Sequence, residues 1–241
     1  MAKKAAIERR YQTLDVAAIV NTLSQLSNRV GERFPSRGLA QTANFLVDLS
    51  RSTADEAARL GQSNWLLRFL AAAVLAAGVF GLYQIRDFLP SFQTTSMNFA
   101  EFTQGLDATF NIIVLVGLSV TFLLSLESRF KRRQALDGLY RLRAISHVID
   151  MHQLTKDPAS ILGGERTGSS PERDLSRDML LRYLDYCTEM LSMIGKLAAL
   201  YVQHFPDPVV IDTVNDIEVL TTNLSRKIWQ KIVVVQGEAQ D

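Results

Sequence analysis

Two stretches decide how this chain folds: Trp65 to Ile85, WLLRFLAAAVLAAGVFGLYQI, and Ala108 to Leu126, ATFNIIVLVGLSVTFLLSL. The first holds a single charge, Arg68, and the second none. At about 1.5 Å of rise per residue each segment reaches across roughly 30 Å, the thickness of a bilayer's hydrocarbon core. Core helices of soluble domains rarely run so long without a polar face, so the reading is two transmembrane helices. More than 60 mostly polar residues precede the first, which is unlike the short basic start of a signal peptide.

Charge fixes the expected orientation. The first 64 residues carry nine Lys and Arg, while Phe88 to Thr109 carries none, and Arg129, Lys131, Arg132 and Arg133 follow the second segment at once. Basic residues stay on the cytoplasmic side, so both termini are expected in the cytoplasm, with a bacterial inner membrane the natural setting. Arg68 is placed to snorkel to the inner headgroups, with Tyr83 and Arg86 at the opposite interface. The outer connection, about residues 87–108, is too short for a domain and is expected to lie along the headgroups through Phe88, Phe92, Phe99 and Phe102.

The remainder fits this plan. Of 241 residues 47% are hydrophobic, and the mean hydropathy is +0.07, between a soluble domain and a polytopic transporter. The net charge of +1 hides a segregation. Glu127 to Asp157 has seven basic and four acidic residues, but Pro158 to Asp241 has eight and twelve, which favours anionic lipid near the bilayer and no nucleic-acid partner. The single cysteine, Cys187, has no intramolecular disulfide partner.

Helical periodicity organises the flanks into an all-α chain in three regions, 1–64, 65–126 and 127–241. In the first, Leu14, Ala18, Ile19, Thr22, Leu23, Leu26 and Val30 form one helical stripe. GERFPSRG breaks it, and a second helix runs from about Leu39 to Gly61 with Phe45, Leu46 and Leu49 on one face. The second span continues without proline to Pro158 as a stalk, interrupted only by Gly138, with Leu136, Leu139, Leu142, Ile145 and Ile149 as its apolar stripe. Straight, such a stalk projects some 45 Å. After a Gly- and Ser-rich loop, Met179, Tyr183, Tyr186, Met190, Met193, Leu197, Leu200 and His204 alternate by four and three. Val210, Val214, Ile217, Thr221, Leu224 and Ile228 repeat the pattern after FPDP, as in an antiparallel coiled-coil hairpin. Only IVVV, near the C-terminus, reads locally as a strand.

Two groups of residues are candidate sites. Ala73, Ala77 and Gly81 in the first span, and Gly117, Thr121 and Ser125 in the second, recur every four residues, so each trio shares a helix face on which backbones approach closely. These faces serve a hairpin packing on itself or an oligomer; a pore needs the oligomer, because two helices enclose no channel. No charge lies deep in either span, which argues against a proton relay or coupled transporter. The second group is Arg141, Arg143, His147, Asp150, His152 and Lys156. His147 and Asp150 share a face at i and i+3, but His152 points elsewhere and no second ligand cluster exists, so a polar packing network is expected rather than a metal site.

Arg141, five intervening residues and His147 resembles the Arg and His spacing of HEPN ribonucleases, with Leu142 where that family has a polar residue. That resemblance implies a membrane-tethered nuclease with His147 as acid-base group and Arg141 stabilising phosphate charge. No GxSxG, Walker loop, HExxH or dinucleotide fingerprint is present, so no enzyme and no cofactor are expected. Across roughly residues 65 to 205 the layout resembles the SLATT-like two-transmembrane effector modules of bacterial conflict systems, departing from their simplest form in the N-terminal helical pair. That resemblance implies an oligomer that permeabilises the membrane on a cytoplasmic signal. The simplest expectation is a non-catalytic membrane subunit or scaffold, whose partners are the lipid bilayer and further copies or a cytoplasmic protein.

Overall fold

The computed structural model describes residues 13–88, 99–156, 168–169 and 175–237, and throughout these the regular secondary structure is α-helical, without a strand. The helices are α1 (Val16–Arg33), α2 (Gly38–Leu60), α3 (Trp65–Phe88), α4 (Phe99–Leu154), α5 (Arg177–His204) and α6 (Pro208–Gly237). Phe92, Pro158 and most of the Gly- and Ser-rich loop lie outside the described residues, as do the side chains of Arg86, Phe88, Phe99 and Phe102.

The chain divides into two compact units, residues 62–131 and the segments on either side of them. In the flanking unit, α1 starts where the Asp15 carboxylate accepts the Ala18 amide at 3.1 Å, an N-cap that satisfies one of the helix's orphan donors. It buries Ile19, Leu23, Leu26 and Val30, four of the seven residues of its expected stripe. In α2, Leu46 and Leu49 are buried but Phe45 is 56% exposed. The buried face, through Leu39, Ala43, Leu46, Ser50, Thr53, Ala57 and Leu60, leaves Phe45 to one side.

The alternating pattern in the C-terminal third lies on buried faces of α5 and α6. Tyr183, Tyr186, Met190, Met193, Leu197 and Leu200 are buried, as are Val210, Val214, Ile217, Thr221, Leu224 and Ile228; Met179 and His204 at the two ends are half-buried. Phe205–Asp207 alone joins the helices, and at the far end the Arg177 guanidinium caps α6 through the carbonyls of Val235 and Gln236. The two helices are therefore antiparallel. IVVV is helical, because Ile232 and Val235, three apart, fall on the buried face of α6.

The distal half of α4 packs into this bundle. Ala135, Leu139, Leu142, Ile145 and Ile149 are buried within it, with Ala135 taking the place expected of Leu136, which is half-buried. Polar contacts fix its neighbours. Arg132 meets Asp207 and Gln153 meets Lys231 along α6, while Arg141 meets Glu56 and His152 meets Thr42 along α2. The partner numbers rise together along α6 and oppositely along α2, so α4 runs parallel to one and antiparallel to the other.

The other unit is the hairpin of α3 with the first part of α4, and helix begins at Phe99, within the expected outer connection. Both helices are long and apolar enough to cross a membrane, and only 11% and 6% of their most apolar windows is buried. A core helix of a soluble domain would hide such a surface.

Candidate functional site

In the hairpin, the close approach is made by a glycine outside the expected trios. A Cβ on Gly78 would stand 2.5 Å from Val116 Cγ2, a distance no real pair adopts, so glycine is what lets α3 and α4 meet there. Ala73 and Ala77 are exposed, and a Cβ on Gly81 would only graze Ile112 Cδ1 at 4.0 Å. The Gly117, Thr121 and Ser125 face is open: a Cβ on Gly117 meets nothing within 4 Å, and all three residues are exposed. Thr121 and Ser125 donate their hydroxyls to the carbonyls of Gly117 and Thr121 at 2.8 Å, within their own helix. Such bonds let a hydroxyl face apolar surroundings without an unmet donor. Where the hairpin opens, the Glu127 carboxylate accepts the Asn64 amide at 3.0 Å and pairs with Lys131 at 3.0 Å, fixing the start of α3 against α4.

The polar residues of the bundle divide among several partners instead of forming one site. Arg141 donates to both Glu56 oxygens, at 2.6 and 2.5 Å, and the buried Tyr201 hydroxyl donates to the same carboxylate at 2.9 Å. Burial first, and then this neighbouring carboxylate, push the Tyr201 phenol above its ordinary range. Gly138 makes the arrangement possible, since a Cβ there would collide with the Tyr201 hydroxyl and lie 2.5 Å from Tyr201 Cζ.

At the end of α4, His152 Nε2 lies 3.0 Å from Thr42 Oγ1, whose own proton goes to the Gly38 carbonyl at 2.9 Å. The imidazole is thus the donor, and a Cβ on Gly38 would stand 2.6 Å from His152 Cε1. Burial first, then the charge of Lys156, lower the His152 pKa. Asp150 accepts the Gln153 amide at 2.7 Å, and Lys156 lies 5.7 Å from the centre of the Tyr183 ring. Arg143 and His147 are exposed.

Arg141 and His147 are not brought together. Six residues along a helix turn the second some 240° from the first, and Arg141 is committed to Glu56. Among the described residues no group of three or more His, Cys, Asp or Glu is placed to hold a metal ion.

Asp207, Glu56, Tyr201 and Gly78 were not distinguished by sequence periodicity. Asp207 had the clearest available signal, an Asp followed by Pro at a helix start. Gly138 stood out only as the one glycine in its stretch. Comparison with family models, with curated proteins and with solved structures found no match to this chain.

Proposed function

We propose that this chain is an integral membrane protein without catalytic activity, anchored by the α3–α4 hairpin, whose helical bundle presents its surfaces to a protein partner in the cytoplasm. The observation that carries the reading is the contrast in burial: the hairpin's apolar windows are only 11% and 6% buried, and the second continues along the single helix α4 into a segment packed in a core. The exposed lengths match a bilayer, and the packed length matches a soluble bundle. The absence of basic residues from Phe88 to Thr109, against four just after Leu126, supports a bacterial inner-membrane protein with both termini inside. Carbonate extraction of membranes, combined with labelling of cysteines introduced at residues 92 and 218, tests it. The protein should stay in the pellet, with residue 92 labelled from outside and 218 only after permeabilisation.

A second reading, an oligomeric permeability effector similar in layout to the SLATT-like modules, draws support from the open Gly117, Thr121 and Ser125 face. Its hydroxyls are internally satisfied and its backbone is accessible, as a subunit contact or a pore lining requires. Ion flux through liposomes carrying the purified protein separates the two readings: conductance abolished by Gly117→Leu favours the effector, and none favours the scaffold.

A further inference from the structure

Three points of the chain meet at one end of the bundle. Just ahead of α1, the Leu14 amide donates to Gln203 Oε1 at 2.7 Å and Gln203 Nε2 donates back to the Leu14 carbonyl at 3.5 Å, which seats Leu14 beside the last turn of α5. The next residue of α5, His204, lies against the end of α2, where a Cβ on Gly61 would stand 3.5 Å from its Nδ1. Asp207, at the start of α6, is held by Arg132. Gly61 and Arg132 are the residues at which the bundle gives way to the hairpin. Residues 1–12 therefore join the bundle at the end from which both links to the membrane-compatible segments leave.

Charge at this end is predominantly positive. Residues 1–12, MAKKAAIERRYQ, hold Lys3, Lys4, Arg9 and Arg10 against Glu8 alone. Arg59, in the last turn of α2, and Arg133 are exposed. The nearby carboxylates are engaged, Asp207 with Arg132 and Asp15 with the Ala18 amide, and the exposed Asp55, Asp137 and Asp212 lie at least a turn further back along their helices. Arg132 follows Leu126, the last residue of the apolar run, along one continuous helix. The rise between them is about 9 Å, close to the Debye length of about 8 Å at physiological ionic strength.

We propose that residues 1–12 bind the anionic headgroups of the adjoining leaflet, a second and electrostatic attachment beside the hairpin. The inference rests on the membrane reading above. Each Lys or Arg at an anionic surface strengthens binding about five-fold, so three net charges favour the bound segment on the order of a hundred-fold. The tether at Leu14 supplies proximity, because the headgroup layer is what the two links reach within a few residues of this end.

Full-length protein in lipid vesicles tests this, with an environment-sensitive dye on Ala5→Cys and a quencher carried on lipid headgroups. Cys187 is wholly buried and gives a quiet background. Quenching should be several-fold stronger in phosphatidylcholine mixed with phosphatidylglycerol than in phosphatidylcholine alone, and about 1 M salt should remove the difference. Lys3→Glu, Lys4→Glu, Arg9→Glu and Arg10→Glu together should abolish it, whereas Arg9→Lys with Arg10→Lys should keep it, since the surface reads charge and not side-chain shape. A dye on Phe45→Cys, exposed on α2 about four turns back from this end, should show no lipid dependence. Equal quenching in the two lipids overturns the proposal, as does an equal response at residue 45. So does a dye at residue 5 that stays unquenched in both lipids yet responds to salt, the sign of docking on the bundle's own acidic residues. Flotation and carbonate extraction of the same samples keep the two ideas apart: protein stripped from the vesicles sinks the membrane reading, whereas inserted protein without lipid-dependent quenching sinks the second attachment alone.

Discussion

Arg132 grips Asp207 through two guanidinium nitrogens, with Nη2 2.7 Å and Nε 3.0 Å from carboxylate oxygens, and the same carboxylate accepts the Val209 amide at 3.0 Å. One aspartate therefore caps α6 and ties it to α4, just past the membrane-compatible segment. Burial alone would raise its pKa, but the guanidinium and the helix amides outweigh burial and hold the carboxyl below its usual range.

Asp207→Ala removes the cap and the ion pair together. The lost cap costs about 1–2 kcal/mol. Asp207→Asn keeps an acceptor for the amide and should lose less. Urea unfolding in mild detergent, followed by helical circular dichroism, should order the proteins wild type, Asn, Ala in decreasing stability.

Glycine substitutions should have opposite signs by position. Gly31→Ala fills open space in a helix and should add up to about 1 kcal/mol from propensity. Gly138→Ala drives a methyl into Tyr201 and should cost about 1–3 kcal/mol in spite of the same propensity gain. Equal effects of the two in thermal melts would contradict the Gly138–Tyr201 contact.

Within the hairpin, Gly78→Leu should separate α3 from α4, and Gly117→Leu should not. Cysteines introduced near the contact, at residues 75 and 120, report the difference as a change in mutual cross-linking. Any effect of Gly117→Leu on assembly then reflects what lies outside the chain, lipid or a second copy.

His152 should make the bundle acid-sensitive. Its folded pKa lies below the ordinary 6.5, so as pH falls through 6.5 the unfolded chain takes up a proton that the folded site resists. The contribution is fully present above 6.5 and is lost as pH falls toward the folded value. His152→Gln should flatten the stability profile on the acid side of about pH 6.5. An unchanged slope would mean that the ring is not desolvated.

Cys187 is completely buried, and burial pushes its thiol up to about 12. Thiol reagents at pH 8 should label it only at the rate of unfolding, and quickly in urea. Rapid labelling of the native protein would place it at a surface.

Periodicity makes much of this protein legible in its sequence. Two long apolar runs between basic flanks need no tertiary information, because a bilayer-length segment without charge is a property of sequence alone. The alternation from Tyr183 to Leu200 and from Val210 to Ile228 likewise names its own buried face, because spacing by three and four returns to one side of a helix. Which residue within a stripe is buried was less certain: Phe45 and Leu136 are apolar enough for the core, but helix rotation turns the first outward and puts Ala135 ahead of the second.

Only tertiary structure decided which partners the polar side chains found. Glu56 and Tyr201 lie 145 positions apart, and Arg132 and Asp207 lie 75 apart. No local pattern encodes such pairings; they depend on how five helices stack, a sum over many small packing choices. The same holds for Gly78 and Gly138, whose roles exist only because Val116 and Tyr201 come to face them. What sequence determined by itself was the period and polarity of each helix, because those are set by neighbours three and four residues away. What the fold decided was who meets whom, because that is set by side chains far apart in the chain and close together in space.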